Sequence, residues 1–144
     1  MSVQQISVFL ENKPGTLKKM TGVLAAHNID MRASSLAETK DFGIARLIVD
    51  DALEAVNTLK EHDFVASLTP VLAIEIPDEA GGLDKLLEAF DTENVNIEYM
   101  YAFPGRGTDN RAYMIFRVAD TKAAEAKLAG KGLKLLTQED ISNI

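Results

Sequence analysis

The chain repeats itself. Displaced by 66 residues, Ile6, Val8 and Leu10 fall on Leu72, Ile74 and Ile76, two runs that alternate with the period-two spacing of a half-buried strand. The same displacement carries Gly15 to Gly81, Leu17 to Leu83, Met20 to Leu86, Leu24 to Phe90 and Asn28 to Asn94 without a gap. Three extra residues in the second copy raise the displacement to 69. It then aligns Ala45, Leu47 and Val49 with Met114, Phe116 and Val118, and Asp51, Ala55 and Leu59 with Asp120, Ala124 and Leu128. A sequence written twice in 144 residues predicts two very small units, 1–69 and 70–144, each of about 70 residues and near the lower limit for an independent core.

Each copy reads as strand, helix, strand, strand, helix, strand. The first helix begins near Thr16 and presents Leu17, Met20 and Leu24 at i, i+3 and i+7; its counterpart uses Leu83, Leu86, Leu87 and Phe90. Asn28 and Asn94 follow these helices, at the place where a left-handed residue stops a helix cheaply. Second strands are expected over 29–37 and 95–103, with Asp41-Phe42-Gly43 and Pro104-Gly105-Arg106-Gly107 as turn material. Third strands follow at 44–49 and 113–118. Asp51 and Asp120 stand as N-caps of the second helices, and fourth strands are expected near 64–68 and 133–136. This order is the split βαββαβ, or ferredoxin-like, motif, so the fold class is α+β with two tandem domains, each an antiparallel sheet covered by helices. One sheet face and one strand edge per copy stay uncovered, which predicts packing between the copies or a homodimer. Thr69-Pro70 is so short a junction that the fourth strand of the first copy can run into the first strand of the second.

Composition removes several function classes. A formal net charge of −7 and a pI near 4.8 give no cationic footprint for nucleic acid or for an anionic membrane. With no cysteine, disulfides, thiolate nucleophiles and cysteine zinc sites are excluded. No apolar run approaches the roughly 20 residues that span a bilayer. The opening Met-Ser-Val-Gln-Gln has no basic leader, so a cytoplasmic protein is expected. No Ser/His/Asp or Cys/His set and no phosphate-cradling loop of the Walker or dinucleotide type is visible, and no cofactor is implied.

The stretch richest in chemistry is Glu11-Asn12-Lys13-Pro14-Gly15-Thr16-Leu17, where a strand turns into a helix. Its glycine permits a backbone conformation closed to other residues and a close ligand approach. The helix start beyond it exposes unpaired N–H groups and the positive end of the dipole, which suit a carboxylate. Asn28-Ile29-Asp30-Met31 then brings a second polar group to the start of the second strand.

Asn12-Lys13-Pro14-Gly15-Thr16-Leu17 followed by Asn28-Ile29-Asp30-Met31 resembles the signature of ACT domains, regulatory modules of amino-acid metabolism. In the second copy, Asp78-Glu79-Ala80-Gly81-Gly82-Leu83 and Asn94-Val95-Asn96-Ile97 match less well, because Ala80 replaces a proline. The resemblance spans nearly the whole chain and implies an effector site at an interface between paired domains. It points to Asn12, Gly15, Thr16, Leu17, Asp30 and Met31, then to Asp78, Gly81, Gly82, Leu83, Asn96 and Ile97. The first set pairs an amide at 12 with a carboxylate at 30, and the second a carboxylate at 78 with an amide at 96. Each offers one anionic acceptor to the ammonium of a zwitterion whose carboxylate meets the helix N–H groups.

The expected function is a non-catalytic sensor of a free amino acid. Three alternatives stand beside it: a regulatory subunit of a biosynthetic enzyme, similar to the acetolactate synthase small subunit, a small enzyme on a ferredoxin-like fold, and a scaffold without a ligand. For the polar residues themselves there is a plainer role, since Asn12 and Asp78 can cap turns and Asp30 and Asn96 can be solvated strand starts. His27 and His62 fall at helix ends without a second metal ligand nearby, and Asp50-Asp51 reads as a strand end and an N-cap. Gly105-Arg106-Gly107 with Arg111 has the makings of a phosphate loop, and Tyr99 with Tyr101 of a base-stacking pair. The acidic balance opposes both. Alternation more simply sets Tyr99, Tyr101 and Phe103 on one face of a strand.

Overall fold

A computed structural model describes residues 2–105 and 110–144. Two units divide the chain: one is Gln4–Thr69, and the other is Pro70–Ile144 with Met1–Val3. Seven strands and five helices lie among the described residues.

The first unit is built from β1 (Val3–Glu11), α1 (Thr16–Ala26), β2 (Met31–Glu38), β3 (Phe42–Val49), α2 (Ala52–Glu61) and the start of β4 (Val65–Pro77). β3 runs antiparallel between β1 and β2, with Leu10 and Glu38 both opposite Gly43, and β4 follows β1 on the other side. Ser7 and Thr69 join hydroxyls at 2.9 Å. Alternation sends Ile6, Val8, Leu10, Ala45, Leu47 and Val49 to the helix side, where Met20, Leu24, Val56 and Leu59 meet them. Met20 and Leu24 are fully enclosed, and truncating either to alanine costs about 2–5 kcal/mol.

The second unit repeats the plan with the rest of β4, α3 (Gly82–Thr92), β5 (Tyr99–Pro104), β6 (Arg111–Arg117), α4 (Thr121–Leu128) and β7 (Lys134–Leu135). Its core gathers Leu72, Ile74, Ile76, Leu86, Met114 and Phe116, with the Phe90 and Phe116 rings 4.7 Å apart. β4 therefore runs through Thr69-Pro70 without a break. A short helix that the repeat did not predict, α5 (Gln138–Ser142), follows β7 and starts at a reciprocal capping box between Thr137 and Asp140. The two Thr137 hydrogen bonds hold the Asp140 carboxyl below the usual aspartate range.

Local hydrogen bonds repeat with the sequence. Asn28 and Asn94 take φ of 56° and 55°, and each donates its amide to the carbonyl three residues back, on Ala25 and Asp91. Asp51 and Asp120 accept from the amides of Glu54 and Ala123 at 3.0 Å, the caps read from the sequence. Where the two copies differ, the difference is chemical. The rings of His27 and His62 meet edge to face at 5.2 Å. At the equivalent places of the second repeat Glu93 and Lys131 form an ion pair at 2.7 Å.

Three expectations need correction. Leu17 is 42% exposed and is not a core residue of α1. Residues 95–98 lie outside any strand, so Asn96 and Ile97 precede β5 where a strand was expected. The last strand spans only Lys134 and Leu135.

Candidate functional site

In the first repeat the turn from β1 to α1 is closed by backbone bonds from Asn12 to Asp41 and from Lys13 to Glu11, each 2.9 Å. Asn12 also ties the turn to the β2–β3 connection, donating its side-chain amide to Glu38 Oε2 at 2.9 Å and to the Thr39 carbonyl at 3.3 Å. Gly15 adopts φ +91°, and a Cβ there would meet nothing within 4 Å. Its glycine is therefore required by the backbone and leaves open space in front of the turn. Thr16 folds its hydroxyl back onto the Glu11 carbonyl at 2.9 Å and the Lys13 carbonyl at 3.1 Å.

The helix that starts here has no side-chain cap and no acidic residue in its first turn. The Leu17 and Lys18 amides find no acceptor among the described residues. Lys18 stands in the first turn and carries its ammonium one turn on, beside Gly22. A cleft of about 610 Å³ opens on one side of the turn, lined in part by Gly15, Thr16, Lys19 and Phe64. A smaller one of about 250 Å³ opens on the other, where Asn12, Thr16 and Leu17 face Leu36 and Glu38. The exposure of Leu17 thus places an apolar side chain in a cleft wall. Glu11 ion-pairs with Lys13 at 2.9 Å, and the Lys13 ammonium holds its carboxyl below the usual glutamate range.

The second repeat keeps the bend, with the space before Gly81 as open as that before Gly15. Gly81 takes φ +85°, but a Cβ on Gly82 would lie 2.6 Å from the Pro77 carbonyl oxygen. Gly82 aligns with Thr16 and Pro77 with Glu11, so the turn held open by a hydroxyl in one copy is pressed against its own strand in the other. Asp84 stands where Lys18 does and supplies negative charge to the first turn of α3. Leu83 packs against the core. The Asp78 amide bonds the Asn110 carbonyl at 2.8 Å, as Asn12 does Asp41.

Within one unit the two groups of predicted residues do not meet. The turn lies where Glu11 pairs with Phe42, whereas Met31 pairs with Val49 at the far end of β3. Six residue steps separate Gly43 from Val49, roughly 20 Å at about 3.3 Å per residue. Asp30 has a local engagement: its carboxylate ion-pairs with Arg32, and its backbone clasps Asp50 through two bonds of 3.2 Å. Within one domain Asn12 faces Glu38, not Asp30. In the second unit Asp78 lies beside Asn110, while Asn96 lines a 250 Å³ cleft with Asp120 and Lys127 near the other end of β6.

The remaining candidates resolve into structure. Asp50 accepts from the amides of Asp30 and Asp51, and no group of three or more His, Asp or Glu fit for a metal occurs among the described residues. Each histidine turns Nδ1 to its own helix, to Val23 and Thr58 carbonyls at 2.9 Å. Tyr113 stacks on Phe103 at 5.1 Å. Arg106 and Gly107 of the glycine turn lie outside the described residues. No helix there is long and apolar enough to cross a membrane. Sequence reasoning overlooked Lys18, Lys19 and Phe64; reading the repeats for differences, Lys18 against Asp84 and Phe64 against Leu133, was the signal available.

The pattern that describes the ACT domain pair matches residues 1–144. This chain belongs to that family. The ACT pair has the same fold as the Bacteroides thetaiotaomicron protein BT0572, at 38% identity and a TM-score of 0.91 over 100% of this chain and 98% of that one. It also resembles the regulatory subunits of aspartate kinase from Thermus thermophilus, at 22% identity and a TM-score of 0.64, and from Thermus flavus, at 20% and 0.61. Each of those alignments covers 89% of both chains. At this identity the likeness to the kinase subunits is one of fold. No curated protein matches the ACT pair at a significant level. An ACT pair is a regulatory fold.

Proposed function

We propose that this ACT pair senses a free amino acid and passes the result to a separate enzyme of amino-acid metabolism. The first repeat is the receiving copy. What supports this is one difference at the turn: Gly15 and Thr16 line a cleft of about 610 Å³ and α1 has no acidic residue in its first turn, whereas α3 carries Asp84 there. The amino acid's carboxylate accepts from the Leu17 and Lys18 amides. The second copy serves as a structural partner of diverged sequence.

A second chain completes the site. The turn and the start of β2 stand roughly 20 Å apart in one domain, so a pocket drawn from both, as the family resemblance implies, needs a further domain. β2 supplies an unpaired sheet edge with Leu36 54% exposed. A ligand that prefers one arrangement of the pair shifts it by the difference in its affinities, typically about 1–3 kcal/mol. The aspartate kinase regulatory subunits of the same fold make a kinase-like biosynthetic enzyme a natural first partner to try in pull-down.

A thermal-shift screen against the twenty common amino acids tests the reading. One of them at about 100 times its dissociation constant adds roughly 2.7 kcal/mol of stability. A flat response to all twenty contradicts sensing.

A further inference from the structure

The smaller cleft beside the first turn, about 250 Å³, is built from one side of the sheet. Register sets Leu10, Gly43 and Glu38 in a row across β1, β3 and β2 on the helix side, and Leu36 two residues back along the same face of β2. Leu17 of α1 stands opposite, so two exposed leucines face the cleft from a helix and from a strand. Gly43 leaves the floor bare: a Cβ there would lie 3.4 Å from Leu36 Cδ1. Glu38 accepts from the Asn12 amide at 2.9 Å and has no cationic partner among the described residues. The other ionic groups of the lining, Glu11 and Lys13, neutralise each other at 2.9 Å.

The repeat isolates this chemistry. At the positions of Leu36, Glu38 and Gly43 the second copy carries Ala102, Pro104 and Ala112 in the same register. Leu83, in the place of Leu17, packs against its own core. The shared fold therefore requires neither two exposed leucines nor a carboxylate here. Apolar walls with one or two placed polar groups are the usual make-up of a small-molecule site.

We infer that this cleft selects an α-amino acid with an aliphatic side chain of valine to leucine size. Its ammonium meets Glu38 in a charge-assisted hydrogen bond, its carboxylate stays on the Leu17 and Lys18 amides, and its side chain lies between Leu17 and Leu36 over Gly43. A volume of about 250 Å³ is that of roughly eight waters at about 30 Å³ each, which favours a short side chain over an aromatic one. The leucine walls offer no partner to a charged side chain, whose burial there is costly. The inference rests on the amino-acid-sensing reading and specifies its ligand class.

Calorimetric titration of the intact protein with L-leucine, L-valine, L-tryptophan, L-lysine and L-aspartate, alongside isocaproate, which is leucine without its ammonium, tests it. The tighter of leucine and valine is expected to bind at least about tenfold better than the other three amino acids, a gap of about 1.4 kcal/mol. Glu38→Gln should weaken leucine about tenfold and leave isocaproate undiminished. Gly43→Ala, which the second copy already carries as Ala112, places a methyl group on the floor beside Leu36 and should weaken leucine more than valine. Tightest binding by a charged, polar or aromatic amino acid, or leucine binding undiminished by both Glu38→Gln and Gly43→Ala, overturns the ligand class and leaves sensing intact. No binding by any of the twenty amino acids overturns both.

Discussion

The Thr16 hydroxyl donates to the Glu11 carbonyl across 2.9 Å, and at the matching place Gly82 has no room for a side chain beside Pro77. Gly82→Thr should force the second turn open at a cost of about 1–3 kcal/mol, the usual range for overpacking. Thr16→Ala, which loses a hydrogen bond at an exposed site, should cost about 0.5–1.5 kcal/mol. Urea denaturation of the two variants checks the order. Equal effects would mean that the two turns are equally roomy.

Lys18 and Asp84 occupy one position of the repeat with opposite charge. Lys18→Asp should stabilise the free protein by about 0.3–1 kcal/mol, because an acidic residue in the first turn complements the dipole. It should at the same time weaken the amino-acid ligand by about tenfold or more through repulsion of its carboxylate. Paired thermal melts and ligand titrations separate the two effects, and a variant that is more stable with undiminished binding would remove the helix start from the site.

The imidazole pair of the first repeat stands in for the Glu93–Lys131 ion pair of the second. The double variant His27→Glu with His62→Lys should therefore fold with stability within about 1 kcal/mol of the parent. Its denaturation curve decides whether the two pairs are interchangeable; a loss of several kcal/mol would show that the histidines hold something an ion pair cannot.

Asp140 titrates below the usual aspartate range chiefly because the Thr137 backbone amide donates to its carboxylate at 2.8 Å, with the Thr137 side chain adding to the effect. A lowered folded value means that the carboxylate favours the folded state in full above the unfolded pKa of about 3.9, and that this support is lost as pH falls through the folded value. Carboxyl-carbon NMR should place the Asp140 midpoint below that of an exposed aspartate, and Thr137→Ala, which removes the hydroxyl but keeps the backbone amide, should raise it part of the way. An unmoved midpoint in the variant would discard the Thr137 side chain as a cause.

Much of the fold was legible because the repeat doubled every signal. Asp51 and Asp120, Asn28 and Asn94, Gly15 and Gly81 are chemically constrained positions, and each pair behaves alike. α5 was hidden because it has no counterpart to align with, and Leu17 was misjudged because periodicity marks a helix face without saying where the sheet ends. The candidate site was half legible. Motif residues marked the turn, but sequence spacing alone could not reveal that the start of β2 lies at the far end of the sheet. Nor could it reveal that Phe64, which follows α2, would reach the cleft beside α1.

The central claim is that one of two nearly identical bends receives an amino acid. Amide NMR of the intact chain, titrated with the best-stabilising amino acid of the screen, tests it most directly. The account predicts saturable shifts at Gly15, Leu17, Lys18 and Lys19, with Gly81, Leu83 and Asp84 still. Shifts confined to the second bend, or none at either, would contradict it.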